Sequence, residues 1–295
     1  MSWMLGEKFV TAITASAMMM GLAMTANAQG TTGSSQQAGP TAPAPSAAPA
    51  DAAKGNSMAL DVPPPVNAEE DAAFKAFQDA PNADAAKKID LGEAFQQKYP
   101  SSRYLPAVYS TMTMLYLSTS QVQKMEDEGE KAIKLSPNDV QTMAILGQTI
   151  PRAMGNNISN AEAVKELAKA EDYSKRAIEV TPTISKPPNI TDEQFVSAKN
   201  VTLAMAHSGL GLIYLKRGKV SEAIPELDQS VKLDPTPDPV NYYLLGLANE
   251  KASHFADATD AFSKCALMQS SMQQTCKNGA EEAKKLGNTQ LSVPK

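Results

Sequence analysis

The stretch Ala204–Pro235, AMAHSGLGLIYLKRGKVSEAIPELDQSVKLDP, decides the fold. Apolar side chains at Leu210, Ile213 and Tyr214 have the i, i+3, i+4 spacing of one helix face. Gly218 breaks that helix because glycine adopts positive φ at little cost. The closing Asp-Pro pair ends a second helix because proline cannot continue one. The stretch therefore predicts one helix–turn–helix unit.

The same stretch resembles a tetratricopeptide repeat, whose pattern is a large residue, L-G-x-x-Y, A-x-x-x-F, a small residue and a final proline. Only the large-residue position departs from the pattern, since it holds His207. The matching residues, all in register, are Leu210, Gly211, Tyr214, Ala223, Leu227, Ser230 and Pro235. The resemblance implies that neighbouring units cover each other's apolar faces, so that at least three units are needed.

Weaker matches flank this unit on both sides. The following unit begins at Asp238-Pro239 and matches at Tyr242, Leu245, Gly246, Ala258, Phe262 and Cys265. An earlier unit with Leu146-Gly147 fits only if about eleven residues are inserted near residue 155, as a long loop or an extended helix. We expect an all-α, TPR-like solenoid of antiparallel helix pairs over residues 67–287, closed by a polar C-terminal helix, with a disordered tail over 288–295.

Several polar residues are predicted to begin helices. Asn67 with Glu70, and Thr191 with Gln194, have the spacing of a capping box. The second box predicts a long helix, of about 25 residues, after an irregular segment at 181–190. Further N-caps are predicted at Asn82, Asn138, Ser221 and Asp238.

One joint between units is aromatic. Residues 95–104 read F-x-x-x-Y-P-x-S-x-Y and resemble a joint found in TPR proteins of the bacterial envelope. We expect Phe95 and the tyrosines to pack beneath the turn.

The N-terminus predicts export. Residues 1–28 place Lys8 before an apolar run that ends in Ala-Asn-Ala, so they indicate a signal peptide cleaved after Ala28. An uncleaved anchor is the alternative reading. Residues 29–66 are rich in Pro and Ala and indicate a disordered linker, or alternatively a Pro-rich ligand. The prediction is an extracytoplasmic protein, periplasmic or secreted, with no membrane span after cleavage.

The charged residues and the histidines do not form a motif typical of a catalytic, metal-binding or nucleic-acid-binding site. A net charge of −5 without basic runs argues against nucleic-acid binding. His207 and His254 are interpreted as structural, and no catalytic, metal-binding or cofactor-binding residue is predicted. We therefore expect no enzyme activity and no cofactor.

The two cysteines are a disulfide candidate. Cys265 and Cys276 are eleven positions apart on adjacent predicted helices, and an even, isolated pair in an exported chain favours a bond. Two buried free thiols are the alternative.

The first helix of each unit is expected to line a concave groove. Counted from the L-G position, the groove residues are apolar with few charges, namely Ser110, Met114, Leu117, Ser208, Leu212, Leu215, Tyr243, Leu247 and Glu250. Such a groove suits a helical or apolar segment of a protein partner of unknown identity. The alternative is that the chain fills the groove itself, with residues 181–200 or the linker.

By resemblance, the predicted function is a non-enzymatic protein–protein interaction scaffold. The alternative prediction is a component of bacterial envelope biogenesis, in outer-membrane protein assembly or peptidoglycan coordination, that uses the same surface.

Overall fold

The computed structural model describes residues 67–154 and 161–291. These residues contain no strand, so the predicted all-α class is confirmed. The predicted signal peptide and linker lie outside the described residues, as do residues 155–160 and 292–295. The described helices are α1 (Ala68–Asp79), α2 (Ala85–Lys98), α3 (Leu105–Ser118), α4 (Val122–Leu135), α5 (Val140–Ala153), α6 (Ala161–Val180), α7 (Asp192–Lys216), α8 (Val220–Leu233), α9 (Pro239–Lys251), α10 (Phe255–Leu267) and α11 (Gln273–Leu291).

The helices pack as consecutive pairs that form a solenoid. The pairs are α1–α2, α3–α4, α5–α6, α7–α8 and α9–α10, and each packs on the pair that follows it. α11 packs on α10 and closes the stack. We call the first helix of each pair the A helix and the second the B helix.

The apolar core has two main parts. The first extends from α1 to α7 and includes the fully buried Met112 and Leu146. The second extends from α8 to α11 and includes Leu227 and Val240. Each pair therefore buries its apolar side against its neighbours, as a solenoid requires.

Three of the predicted helix starts are confirmed. The Asn67 side chain accepts hydrogen bonds from two backbone N–H groups of the first turn of α1. The Glu70 carboxylate accepts from the Ser102 hydroxyl instead, so the reciprocal half of this capping box is not formed. Thr191 and Gln194 form the complete capping box, with reciprocal bonds of 3.2 and 3.0 Å. Asp238 caps α9, its Oδ1 accepting from Val240 N at 2.9 Å.

The other three predicted N-caps are wrong. Asp84 caps α2 and Asp139 caps α5, since each carboxylate accepts from the backbone N–H three residues later. Asn82 and Asn138, the residues predicted, therefore lie just before the caps. α8 begins one residue before Ser221 and has no side-chain cap.

The longest helices are α7, with 25 residues, and α6, with 20. The length predicted for α7 is confirmed, and it follows an irregular segment that contains a short 3-10 turn at Thr181–Thr183. α11 continues to Leu291 because no proline interrupts it before Pro294. Residues 288–291, predicted to begin a disordered tail, are therefore helical.

The aromatic joint packs around α1. The ring of Tyr104 stacks on Phe74 with centroids 4.0 Å apart, and the ring of the buried Phe95 lies 5.1 Å from that of Tyr99, centroid to centroid. The Tyr104 hydroxyl donates a hydrogen bond of 2.7 Å to Asp71. These contacts fix the first helix pair against the start of the second.

Candidate functional site

The central hairpin packs as its signature predicts. Leu210 and Ile213 are buried, as is Ala223 on α8. Gly211 lies so close to α8 that a Cβ there would be 2.7 Å from Leu227 Cδ2. The two helices can meet at this point only because glycine has no Cβ.

The outer signature positions define the turn and the end of the hairpin. Gly218 has a φ of 72°, in the left-handed region that glycine tolerates. Tyr214 is half-buried against the second core. Pro235 lies directly beyond the C-cap Asp234. The predicted turn and the predicted stop are both observed.

The last hairpin repeats this arrangement with a larger side chain. Leu245 and Ala258 are buried, and a Cβ at Gly246 would be 2.6 Å from Phe262 Cδ1. Gly279 of α11 packs on the same ring, with its nearest atom 3.0 Å from an added Cβ. Phe262 therefore fills the space between three helices.

The predicted groove positions on α3 face the next A helix. The Ser110 hydroxyl contacts the carboxylate of Asp139, the N-cap of α5. Gln141 Nε2 of α5 lies 3.4 Å from Met114 Sδ. Both contacts connect α3 to α5, so this row of residues lies at the junction of two A helices.

Two of the predicted groove residues are not accessible. Ser208 has 0% exposure and donates a hydrogen bond of 2.6 Å to Asn241 of α9. Leu117 is 7% exposed and belongs to the first core. Their assignment to an open groove is wrong, because Ser208 is covered where α7 meets α9 and Leu117 is packed within the first core.

The remaining predicted positions on α7 and α9 are partly exposed. Leu212 and Leu215 pack on the second core. Tyr243 and Leu247 pack beside Phe262 at the contact with α11. Burial, followed by the nearby carboxylate of Glu282 on α11, raises the pKa of Glu250. Ser110 is also partly exposed, but its hydroxyl is bonded to Asp139. We call the other partly exposed residues the A-helix surface: Met114, Leu212, Leu215, Tyr243, Leu247 and Glu250.

Part of the segment predicted as a possible occupant of the groove, residues 181–200, belongs to the solenoid itself. Residues 192–200 are the first turns of α7, so they form part of the stack itself. Of the segment 181–200, only residues 181–191 lie outside that helix. The linker, the other predicted occupant, is outside the described residues.

Sequence reasoning missed Arg152, which lies in the last turn of α5. Its guanidinium donates to Asp238 Oδ2 at 2.7 Å, to Asn241 Oδ1 at 2.7 Å and to Ser208 Oγ at 2.9 Å. The partners are 56 to 89 positions away, so no local spacing could have indicated the cluster.

The histidines have structural surroundings. His207 Nδ1 lies 2.6 Å from Glu226 Oε2, so the large-residue position of the repeat carries a polar link between α7 and α8. His254 is the exposed residue that precedes α10.

The cysteines join the last two helices. Cys265 of α10 and Cys276 of α11 form a disulfide with Cα atoms 5.7 Å apart, and both residues are fully buried. The predicted pair is therefore present as a bond between α10 and the closing helix.

Some of the shifted ionisable groups lie at contacts between helices. For example, the Tyr116 hydroxyl and Lys124 lower the pKa of Glu93, which joins α2 to α3 and α4. Among residues 67–154 and 161–291, no group of three or more His, Cys, Asp and Glu side chains is placed to hold a metal ion. None of the helices described combines the length and the apolar character needed to cross a membrane.

A family model described as "Tetratricopeptide repeat" matches residues 206–237. No curated protein matches the chain. A thermophilic TPR protein from Thermus thermophilus, known from a crystal structure, is similar at 16% identity and a TM-score of 0.47, over 73% of this chain and 99% of that one.

The family match falls on the hairpin whose signature residues are buried and stacked as described above. TPR proteins bind protein partners, and proteins of this family are generally scaffolds without enzyme activity. The match covers one hairpin of the all-α solenoid, so this hairpin is similar to a tetratricopeptide repeat.

Proposed function

We propose that this protein is a non-enzymatic interaction scaffold that works outside the cytoplasm and holds a helical or apolar segment of a partner protein. The observation that carries the proposal is the row of A helices α3, α5, α7 and α9, each of which contacts the next. Packed hairpins with small residues at their crossings give a rigid surface, and such a surface binds without the entropic cost of ordering itself.

The character of the A-helix surface suggests the class of partner. Five of its six residues are apolar or aromatic, and Glu250 is the only carboxylate in the set. Burial of such surface contributes about 25 cal/mol per Å² before the costs of association. An amphipathic helix that presents apolar side chains at i, i+3, i+4 and i+7 matches this chemistry.

Cross-linking from the surface tests the proposal. A photo-reactive residue at Leu212 or Leu215 of the full chain, in its natural cell, should capture a partner. Leu212→Asp and Leu215→Asp should abolish this capture in a chain that stays folded, with a lowered melting temperature because both leucines also pack on the second core. Loss of the fold in these variants would instead show that the two leucines serve only the core.

A matched control is available on α10. Leu267 is the most exposed large apolar residue described, at 83%. Leu267→Asp introduces the same charge on a B helix, outside the A-helix surface, so capture should persist. Equal loss of capture in this variant would contradict the assignment of the surface.

The proposed location rests on the N-terminal sequence and on the buried disulfide, a bond typical of oxidising compartments. Mass spectrometry of the protein from its natural cell should find a chain that begins at Gln29. An intact N-terminus at Met1 would contradict cleavage, and recovery from the cytoplasm with free thiols would contradict export.

A second candidate function is cell-envelope biogenesis through the same surface. The packed joint of Phe95, Tyr99 and Tyr104 favours it, because that motif resembles the joint of envelope TPR proteins. Capture from the envelope fraction distinguishes the two candidates. Recovery of outer-membrane assembly or peptidoglycan machinery would support envelope biogenesis, and recovery of unrelated exported proteins would support a general scaffold.

A further inference from the structure

Arg152 connects helix pairs that are not neighbours. It belongs to α5, in the third pair, whereas Asp238 and Asn241 belong to the fifth pair, at the N-cap and first turn of α9. The pair between them, α7–α8, contributes Ser208, which donates to the same Asn241 oxygen that Arg152 contacts. The contact therefore passes across one complete pair.

This connection departs from the usual organisation of a solenoid. In repeat proteins each unit contacts its neighbours, and stability is close to a sum of unit and nearest-neighbour contributions. α9 packs mainly on α8 and α10, and much less on α7. A direct contact from α5 therefore adds a coupling that neighbour packing does not supply.

The chemistry of the contact makes it rigid. The side chain of Arg152 is 5% exposed and that of Asp238 is 15% exposed, so the charges are largely removed from water. A buried charge that loses its partner is strongly destabilising. The planar guanidinium must also satisfy three acceptors at once, which fixes its orientation.

Asp238 has two roles that reinforce each other. Its Oδ1 accepts from Val240 N and begins α9, while its Oδ2 accepts from Arg152. The carboxylate lies at the N-terminus of α9 and the guanidinium near the C-terminus of α5, so each charge is favoured by the dipole of its own helix. Displacement of α9 would break the cap and the ion pair together.

We propose that Arg152 is a brace that couples the third helix pair directly to the fifth and sets the angle between α5 and α9. The curvature of the row of A helices is then fixed by this contact as well as by the packing of successive pairs. This coupling belongs to the solenoid itself and does not depend on the proposed partner.

Hydrogen exchange in the full chain tests the brace. In Arg152→Met, amide exchange in α9 should accelerate by about tenfold or more, while α8, which lies between the two coupled pairs, keeps its protection. Small-angle X-ray scattering of the same variant should show a changed radius of gyration with unchanged helix content.

Arg217→Met is the matched control. Arg217 bonds Glu171 and so connects α7 to α6, which belong to adjacent pairs. Its loss should accelerate exchange only at that contact and leave α9 unchanged. Equal acceleration in α8 and α9 of Arg152→Met, or no acceleration in α9, would overturn the proposal.

A milder variant keeps the test decisive if Arg152→Met does not fold. Asp238→Asn retains a side chain that can cap α9 but removes the negative charge. It should give the same pattern, faster exchange in α9 than in α8, with a smaller change. Unchanged exchange in α9 would overturn the brace in this variant also.

Discussion

Two joints in this solenoid use glycine pairs in different ways. Where α5 meets α7, a Cβ at Gly209 would be 2.7 Å from the carbonyl carbon of Gly147, so backbone faces backbone. Where α9, α10 and α11 meet, Gly246 and Gly279 both face the ring of Phe262. At the first joint the two nearest atoms belong to the backbone, which cannot yield, whereas the second joint is spaced by a side chain that can. Helices at the first joint are therefore expected to tolerate substitution less.

The largest expected effect is at the backbone joint. Gly209→Ala should lower the free energy of unfolding by about 3 kcal/mol or more, because the clash can be relieved only if α5 and α7 separate. Urea unfolding measures the loss. Gly218→Ala is the control, since that position has open space and a φ of 72°, and it should cost about 1 kcal/mol for the backbone alone. A loss at Gly209 no greater than the control would contradict the tight joint.

At the joint around Phe262, a second substitution should recover part of the stability that the first one removes. Gly246→Ala should cost about 2 kcal/mol through its clash with the ring. Combined with Phe262→Leu, the total should fall short of the sum of the two single losses by about 1 kcal/mol, since the smaller side chain makes room. The measurement is a double-mutant cycle in urea.

The corresponding cycle at the backbone joint should show no rescue. Ser174→Ala removes the one side chain near Gly209, but the backbone of Gly147 remains in place. Its combination with Gly209→Ala should be close to additive. Rescue there would mean that the two joints do not differ in kind.

The disulfide is a second difference between the joints. It bonds α10 to α11 at the joint around Phe262, whereas the backbone joint of α5 and α7 has no such bond. Cys265→Ala with Cys276→Ala should lower the free energy of unfolding by about 2–3 kcal/mol, the chain-entropy value for a short loop. Both sulfurs are buried, so the native protein should resist reductant until α11 opens. Alkylation after mild reduction, followed over time, checks this expectation. Rapid labelling of the folded protein would show that α11 is not held as described.

The smallest expected effect is electrostatic and concerns Glu250, at the contact of α9 with α11. The raised pKa of Glu250, caused by burial and then by Glu282, means that folding disfavours its charged form. The loss of folding stability caused by the charged Glu250 is present above the folded pKa. It disappears as the pH falls through that pKa. Glu250→Gln should therefore add stability near pH 7, by less than about 1 kcal/mol because solvent screens this partly exposed group. Thermal unfolding at pH 7 and pH 4 measures it, and a gain that persists at pH 4 would point to another cause.

The sequence predicted the helix pairs wherever the repeat pattern was local. Leu210, Gly211 and Gly218 lie within ten positions of each other, and their spacing determines a helix face, a close crossing and a turn. Gly209 is equally decisive in the structure but lies outside the signature. Its partner is in another hairpin, and no spacing along the chain could indicate it.

The site was predicted less well than the fold. The register counted from Leu210 predicted one row of residues on the A helices, but it could not show how closely the helices approach. Ser208 is therefore buried, whereas Leu212, one turn later on the same row, stays partly exposed. The depth of a groove depends on the angle between pairs, which is a tertiary property.

The position of Cys265 and Phe262 beneath α11 has a consequence for a damaged chain. After a cut in the turn before Gln273, the disulfide still holds α11 on α10. Only a reductant that also converts the Cys265–Cys276 bond to two thiols would release α11, uncover the Phe262 ring and leave Cys265 unpaired. Two such truncated molecules could then associate through the uncovered rings, and an added oxidant that takes two electrons from the two Cys265 thiols would join them as a disulfide. The nineteen-residue helix α11 thus protects the intact protein from associating with its own copies.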